Sequence, residues 1–345
     1  MSLGTYRLCV IPKASGVGGM VSFRHKLEQG LVKHGVRVTY DAGRLDYDAV
    51  LVIGGTRRLA DLRAARKRGI PVIQRLDGMN WLHRKTKTGL RHYGRAEASN
   101  FILGTIRNRF ADRIVYQSEF SRTWWEREHG ETRVPFSIVY NGVDLSDYAP
   151  GDEDTRPKDV FRLLLVEGNL GGGYETGLEH ALQLGELLEK RLSRRLELMI
   201  VGRVDPGLRE RVTKSTRFPL RWAGLVPRDN IPELDRSAHV LFAADLNPAC
   251  PNAVIEAFAC GLPVAAYATG ALPELVQKDA GELADYGGDP WKLDTPDREA
   301  LAAAAARVIE NQDRYRTGAR QRAEEQFSLD RMVEGYLRAL GWEES

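Results

Sequence analysis

Segment 247–264 combines residue types and spacings that suit phosphate and sugar binding. It predicts a loop, a short apolar helix that Gly261 and Pro263 end, and a buried strand. Asn252 and Glu256 lie four residues apart and therefore share one face of that helix. Free N–H groups at a helix start hold anions, and a carboxylate one turn later can accept hydrogen bonds from sugar hydroxyls. Because a nucleotide joins a phosphate to a ribose, this spacing predicts a nucleotide site.

The composition is that of a soluble globular protein with room for two cores. The chain has 345 residues, of which 43% are hydrophobic and 28% charged, and its formal net charge is +3. This near balance argues against a general nucleic-acid binder. No apolar run approaches the roughly 20 residues of a membrane span, and the first residues lack an export pattern. The three cysteines have no metal spacing and suit a reducing cytoplasm.

Apolar strand-like runs alternate with helical stretches in two series, which predicts two domains. The first series lies within residues 7–140 and the second within residues 161–267. Continuous apolar strands separated by helices indicate parallel sheets covered on both faces. We therefore predict an α/β protein of two doubly wound, Rossmann-like domains facing a central cleft, formed by residues 1–147 and 160–327. We expect the terminal helix, in residues 328–345, to pack back on the first domain.

A glycine-rich turn follows the first predicted strand and opens the first helix. Its Gly18 and Gly19 can bring backbone N–H groups close to an anion or a sugar. The structural alternative is a tight turn that needs positive φ. The dinucleotide fingerprint would place a third glycine at Val21, although Asp41 stands where a ribose-binding acid would. An NAD-dependent oxidoreductase is therefore an alternative that Val21 disfavours.

The loop after the fourth predicted strand should reach the ligand edge of the first sheet. There Asp77 is a candidate contact for acceptor hydroxyls, with a structural turn as the equal alternative. The basic segment 83–95 follows. A charge run of this kind is usually a solvated surface, but it also suits an anionic acceptor or an anionic membrane. The sequence leaves these interpretations open.

Several residues at predicted strand ends of the second domain suit a diphosphate and a base. Asn169 and Gly172 follow the first strand, where three consecutive glycines can form an anion nest. Arg203 ends the next strand and can neutralise phosphate, and Val226 can border a base. The structural alternatives are a flexible turn at the glycines and a surface ion pair at Arg203. Two Asp-x-Asp patterns lie in a turn and in the linker, and the histidines form no ligand cluster by spacing, so we predict no metal site.

Taken in order, these segments resemble the retaining glycosyltransferases of family 4, which have the GT-B fold. The resemblance covers essentially the whole chain and rests on residues 16–19, 118–121, 139–144, 222–226, Glu256, 261–264 and 270–274.

The resemblance implies roles for individual residues. Glu256 is similar to the second glutamate of the family's Glu-x7-Glu motif, which binds the ribose hydroxyls of the donor. The backbone at Ala249, Cys250 and Asn252 would meet the transferred sugar and the diphosphate. By the same resemblance Val226 would border the base, and Gly18 and Gly19 would lie near the diphosphate and the acceptor.

Two departures from the family pattern bear on activity. Pro248 stands where the first motif glutamate belongs, with Asn247 or Asp245 as candidate substitutes. Residues 167–175 lack the arginine and lysine that hold the diphosphate in the family. Such cations stabilise the charge that develops on the leaving group. The nest around Gly172, Arg203 and the helix start at Asn252 are the candidate compensations.

The resemblance implies a metal-independent hexosyltransferase that acts with retention and needs no cofactor beyond its nucleotide-sugar donor. The acceptor would be a sugar, a glycan or a glycolipid, and the candidate catalytic residues are Glu256, Asp77 and Asn247. A non-catalytic sugar-nucleotide or glycan-binding relative is the main alternative, because of Pro248. We expect a cytoplasmic protein, with peripheral contact at the inner membrane face through residues 83–95 as a further expectation.

Overall fold

The computed structural model describes residues 6–16, 18–151, 154–170 and 175–342. It divides into two compact units, one of residues 1–142 with 328–345 and one of residues 143–327. Within the described residues, each unit is built on a parallel sheet of six strands. The prediction of two doubly wound α/β domains is confirmed.

The first sheet has the order β2-β1-β3-β4-β5-β6. Its strands are β1 (Arg7–Ile11), β2 (Arg37–Thr39), β3 (Ala49–Val52), β4 (Val72–Leu76), β5 (Arg113–Tyr116) and β6 (Phe136–Ile138). Its helices are α1 (Gly19–Lys33), α2 (Leu59–Lys67), α3 (Leu90–Arg109), α4 (Glu119–His129) and α12 (Leu329–Leu340). Alternate strand residues enter separate cores, as a pleated sheet requires.

Helix α12 comes from the far end of the chain and packs against α1. Its side chains join β1, β3 and α1 in one buried cluster that includes Val333 and Tyr336. A Cβ atom on Gly30 of α1 would lie 2.2 Å from Val333 Cγ2, so close helix approach requires glycine there. The Ser328 side chain accepts a hydrogen bond from the Arg331 N–H and caps the helix start.

The second sheet has the order β9-β8-β7-β10-β11-β12, which is the Rossmann order. Its strands are β7 (Phe161–Asn169), β8 (Leu196–Arg203), β9 (Leu220–Gly224), β10 (Val240–Ala243), β11 (Val264–Tyr267) and β12 (Gly281–Ala284). Its helices are α5 (Thr176–Leu192), α6 (Pro206–Ser215), α7 (Ile231–Arg236), α8 (Asn252–Ala259), α9 (Leu272–Leu275), α10 (Arg298–Glu310) and α11 (Gln312–Gln326). Four consecutive buried residues in β7 show that helices cover both faces of this sheet.

Two local features differ from the sequence expectations. Strand β12 was not predicted from the sequence, because Gly281–Ala284 is short and carries no apolar run. The alanine-rich stretch 300–326 favours one helix by its sequence, but it breaks at Asn311, whose φ of −122° and ψ of 44° are not helical.

Strand order also locates the expected ligand edges. In an open parallel sheet, ligands bind at the carboxyl ends of the strands. The site lies between the two neighbouring strands whose following connections run to opposite sides of the sheet. That point lies between β1 and β3 in the first unit and between β7 and β10 in the second. The segments that follow these strands are therefore the places to look for a site.

Candidate functional site

Helix α8 follows β10, and local sequence signals fix where it begins and where it ends. It begins at Asn252, and Pro251 lies at the N-cap. The sequence favours Pro251 one position later, as the first helical residue, where its missing N–H would cost nothing. At the other end Gly261 has φ 69°, and its N–H donates to Phe258 O while the Leu262 N–H donates to Ala257 O. This is the Schellman arrangement that glycine favours.

Arg320 of α11 holds the carboxyl end of α8 in place. Its Nη1 donates to Ala259 O at 2.7 Å and to Tyr148 O at 3.0 Å. A cation suits the negative end of the helix dipole. The same guanidinium therefore ties α8 to the segment around Tyr148.

Glu256 is largely buried on α8, with 8% of its surface exposed. Its neighbour across the fold is Tyr148, whose pKa is raised by burial and then by the charge of Glu256. The Tyr148 hydroxyl donates to Arg228 O at 3.4 Å, two residues after Val226. Through Tyr148 the fold thus links Glu256 to the loop of Val226, a half-buried residue that was predicted to border a base. The ribose contact itself stays a prediction.

The loops after β10 and β11 are locked together by backbone contacts. The Asn247 N–H donates to Thr269 Oγ1 at 3.4 Å, and the Ala271 N–H donates to Pro248 O at 2.8 Å. Gly270 has φ 60°, and a Cβ there would lie 2.5 Å from Pro248 N. Only glycine permits this close approach, so the backbone carrying Asn247 is held firmly.

The Asn247 side chain is buried and carries an unsatisfied donor. The residue is 4% exposed, and its Nδ2 has no hydrogen-bond partner in the described part of the chain. Its φ of 55° is left-handed, a conformation that asparagine tolerates better than most residues. A buried unpaired donor costs about 1–3 kcal/mol. Such a group is a candidate to bind a ligand oxygen.

Two carboxyl groups lie near the point where the order of the second sheet changes direction. Glu167 belongs to β7, and Asp245 follows β10 by two residues. Burial, followed by the charge of Asp245, raises the pKa of Glu167 to about 8. Burial also raises the pKa of Asp245 to about 6. By surface area Asp245 is exposed and Glu167 is half-buried, so solvent screens part of the repulsion between them. The pair therefore tends to keep a proton near neutral pH.

Asn169 and Arg203 are brought side by side at the ends of β7 and β8. They are register partners after a shift in the ladder, and the Leu170 N–H donates to Arg203 O at 2.8 Å. Gly202 has φ 142°, and a Cβ there would lie 2.0 Å from Glu167 O, so the strands can approach only at glycine. Arg203 is exposed and takes part in none of the ion pairs of the described residues.

The other residues that were predicted to contact the donor lie in or next to α8, except for one outside the described residues. Ala249 is half-buried and Cys250 is 6% exposed, in the turn just before α8. Gly172 lies outside the described residues. Asn252 is the first residue of α8 and is half-buried.

In the first unit, the glycine-rich turn lies at the carboxyl end of β1. Gly16 has φ 90° and Gly18 has φ 132°, and a Cβ on either would meet nothing within 4 Å. Positive φ, rather than crowding, therefore explains these glycines. Gly18 is the N-cap of α1, and Gly19 begins the helix.

Asp77 follows β4 and is supported by a residue that the sequence analysis missed. Its Oδ2 lies 3.7 Å from Nη1 of Arg75, whose side chain is 2% exposed. Arg75 also stacks over the Phe23 ring at 3.8 Å and donates to Asn141 Oδ1 at 3.4 Å. Desolvation raises the pKa of Asp77, and Arg75 opposes this shift. An arginine inside an apolar strand run was the signal available in the sequence.

The backbone of Asp77 is fixed by α4. Its carbonyl accepts hydrogen bonds from Trp125 Nε1 at 2.6 Å and from Ser121 Oγ at 3.2 Å. Both side chains are fully buried. This support favours a rigid position for the Asp77 side chain at the strand end.

The described residues contain no group of three or more histidine, cysteine or acidic side chains that could hold a metal ion. Across the same ranges, no helix reaches the length and apolar content that a bilayer crossing needs.

Sequence comparisons find similarity to glycosyltransferases, mainly in the second unit. Residues 162–311 match the family described as glycosyl transferases group 1. Over 238 residues the chain is 27% identical to a GDP-mannose-dependent alpha-(1-6)-phosphatidylinositol dimannoside mannosyltransferase of Mycobacterium tuberculosis, covering 67% of this chain and 58% of the relative. It is 25% identical over 210 residues to a D-inositol 3-phosphate glycosyltransferase of Thermobifida fusca. This match covers 52% of this chain and 45% of the relative. These matches span about half the length of the curated relatives.

Solved structures share the fold over nearly the full chain. A sucrose-phosphate synthase of Thermosynechococcus elongatus superposes with a TM-score of 0.74 at 15% identity, covering 96% of this chain and 98% of that one. The Anabaena protein HepE, solved with UDP and glucose, gives a TM-score of 0.72 at 16% identity. This superposition covers 97% of this chain and 99% of HepE.

Fold and sequence together define the class. Two Rossmann-like domains of this topology are those of the GT-B glycosyltransferases. This chain shares that fold, and its residues 162–311 match the family described as glycosyl transferases group 1.

Proposed function

We propose that this protein transfers a hexose from a nucleoside diphosphate sugar to a hydroxyl group of a sugar, glycan or glycolipid acceptor, with retention at the anomeric carbon and without a metal ion. The observation that carries the proposal is the ligand edge of the second sheet. There the start of α8, the unpaired buried amide of Asn247 and Glu256 follow the strands of a Rossmann sheet.

The donor's parts match the chemistry of this edge. The N–H groups at the start of α8 and the exposed Arg203 supply positive charge for the diphosphate. Glu256 accepts hydrogen bonds from the ribose, beside the loop of Val226 that borders the base. Asn247 Nδ2 donates to an oxygen of the sugar or phosphate, where a glutamate carboxylate would otherwise stand.

The reaction requires little covalent chemistry from the protein. The bond between the anomeric carbon and the phosphate oxygen breaks, and the acceptor oxygen bonds to that carbon on the same face. The acceptor proton passes to the leaving phosphate oxygen. Asp77, at the end of β4, contacts the acceptor hydroxyls. The protein contributes position and electrostatic stabilisation of the leaving group.

Similar proteins support a nucleotide-sugar donor. HepE was solved with UDP and glucose, and the mycobacterial relative is named as GDP-mannose-dependent. Their sequence identity to this chain is low, so the base and the sugar must be found by experiment.

The test is a thermal-shift screen of UDP, GDP, ADP, TDP and their sugars, with NADH included for the oxidoreductase alternative. A ligand that binds the folded state raises Tm by mass action. We expect Glu256→Gln, which keeps the side-chain volume, to weaken the best ligand about tenfold or more, as expected for loss of a charged hydrogen bond. Glu233→Gln, on an exposed glutamate of α7, is the matched control. An unchanged shift in Glu256→Gln would falsify the ribose role.

Asn247→Gly gives a second, independent arm. Glycine accepts the left-handed backbone and removes the unpaired amide, so we expect Tm without ligand to stay nearly constant. The shift produced by the donor should fall. A large drop in unliganded Tm would instead assign Asn247 a structural role.

Pro248 and the paired carboxyl groups favour one alternative, a non-catalytic nucleotide-sugar-binding relative. Incubation of the best donor with sugar and glycolipid acceptors separates the two, because only an enzyme releases nucleoside diphosphate. NMR of the product's anomeric proton tests retention. Loss of activity in chelator, restored by manganese, would contradict the metal-independent mechanism.

A further inference from the structure

Helix α3 presents large apolar side chains to solvent. Leu90 is 93% exposed, Phe101 is 74% exposed and Tyr93 is 44% exposed. The eleven positions from Leu90 to Phe101 make about three turns at 3.6 residues per turn, so these two side chains share one helix face. Isolated exposed apolar residues are ordinary, whereas several on one helix face form a candidate contact surface.

The opposite face of α3 packs into the core of the first unit. Leu103 and Ile106 are buried in its apolar clusters, and the Asn100 side chain bonds to the backbone of Asn80. The helix therefore cannot rotate to bury Leu90 and Phe101. Tyr93 is steadied by an edge-on contact with His83, with ring centroids 4.9 Å apart.

Positive charge surrounds the apolar side chains. Lys85, Lys87, Arg91 and Arg95 are exposed and belong to none of the ion pairs of the described residues. Residues 85–96 contain no acidic side chain. The nearest acid, Glu97, is used internally, because it accepts hydrogen bonds from Arg84 Nε at 2.5 Å and lies 2.8 Å from His83 Nε2.

We propose that this surface, defined by Leu90, Tyr93, Phe101 and the four free cations of residues 85–95, docks on an anionic phospholipid bilayer. Apolar side chains flanked by lysine and arginine are the pattern of helices that lie in a membrane interface. Aromatic rings such as Tyr93 suit the headgroup level. A nucleic acid would use the cations but leave Leu90 and Phe101 in water. The inference goes beyond the proposed function and does not depend on it.

The test is flotation of the full-length protein with vesicles, in the absence of donor and acceptor. We expect binding to vesicles that contain phosphatidylglycerol and little binding to pure phosphatidylcholine. Each cation near an anionic surface strengthens binding roughly fivefold. The pair Lys85→Gln and Lys87→Gln should therefore weaken binding about twentyfold.

Variants of the exposed apolar residues distinguish a bilayer from other anionic partners. We expect the double variant Leu90→Ser and Phe101→Ser to lose at least tenfold in vesicle affinity, whereas Val32→Ser, at a 65% exposed valine of α1, should bind like the parent. Equal binding by the Leu90 and Phe101 variant would overturn the proposal, as would binding that free glycerol phosphate abolishes. Lys158→Gln with Lys190→Gln, two exposed lysines of the second unit, controls for net charge.

The nucleotide thermal shift of each variant is measured in parallel. An intact shift with lost vesicle binding confirms the surface independently of the donor site. A missing nucleotide shift in every protein, with vesicle binding intact, would contradict the proposed transferase and leave the membrane surface supported.

Discussion

Acidic groups occupy the position where the family resemblance implies cations. Glu167 begins the segment 167–175, where the resemblance would place an arginine and a lysine for the diphosphate, and Asp245 follows the neighbouring strand β10. Pro248 stands where the resemblance would place a glutamate. Two ionised carboxylates would repel a diphosphate. Shared protonation, which their raised pKa values favour, removes part of this repulsion and adds an O–H donor.

The pair predicts a specific pH dependence. The folded-state pKa of Glu167 is raised, so its contribution to stability is complete below an unfolded carboxylic pKa of about 4.3 and is lost as pH rises through about 8. We expect Glu167→Gln, which mimics the protonated form, to raise Tm at about pH 8 and to flatten the fall in nucleotide affinity between about pH 6 and about pH 8.

The quantity to compare is the difference in Tm between Glu167→Gln and the parent at each pH. His180 and His239 have pKa values lowered by burial to about 4, so their effect has the opposite sign between about pH 4 and about pH 6.5 and cancels in that difference. Glu179→Gln, at an exposed glutamate of α5, is the control. An identical pH profile for Glu167→Gln and the parent would contradict shared protonation.

At the scale of elements, the ends of α8 matter more than its length. The helix has eight residues, too few to be stable alone, so its position depends on packing and on the contacts of its last carbonyls. Arg320 supplies these contacts and also binds Tyr148 O. One α11 side chain thus positions two elements beside Glu256.

We expect Arg320→Met to lower the free energy of unfolding by about 2–3 kcal/mol, because it removes charge-assisted hydrogen bonds from partly buried carbonyls. Arg314→Met, on the same helix, removes an exposed ion pair with Asp279 and should lower the free energy of unfolding far less, because solvent screens an exposed pair. Urea denaturation measures both. Equal losses would show that Arg320 acts only as a surface charge.

At the scale of the whole molecule, the two ends of the chain share one core. The first unit takes its last helix, α12, from residues that follow the complete second unit. Tyr336 is 1% exposed and packs against Phe23 with ring centroids 5.4 Å apart. The first unit is therefore incomplete until the chain has been made as far as α12.

We expect Tyr336→Ala to destabilise the first unit by about 3–5 kcal/mol, the usual cost of removing a buried aromatic side chain. Glu334→Ala, an exposed position on α12, should stay within about 0.5 kcal/mol. Hydrogen exchange on β1 and β3 measures the loss where it occurs. Unchanged protection of these strands would mean that α12 contributes little to the core.

Local pattern in the sequence determined much of the architecture. The alternation of apolar runs with helical stretches predicted the two α/β domains, because strand and helix periodicities are short-range properties. The spacing within residues 247–264 similarly predicted α8 and its glycine stop to within one residue. Strand β12 was missed because its four residues carry no such pattern.

Only the tertiary structure decided which distant residues meet. Asn169 stands beside Arg203 through strand register, Arg75 supports Asp77 from inside the sheet, and Tyr148 approaches Glu256 from the linker region. Such contacts join segments far apart in the chain. The surrounding fold likewise raises the pKa of Glu167 and leaves the Asn247 amide buried without a hydrogen-bond partner among the described residues. Desolvation depends on all surrounding atoms, so residue spacing alone does not encode it.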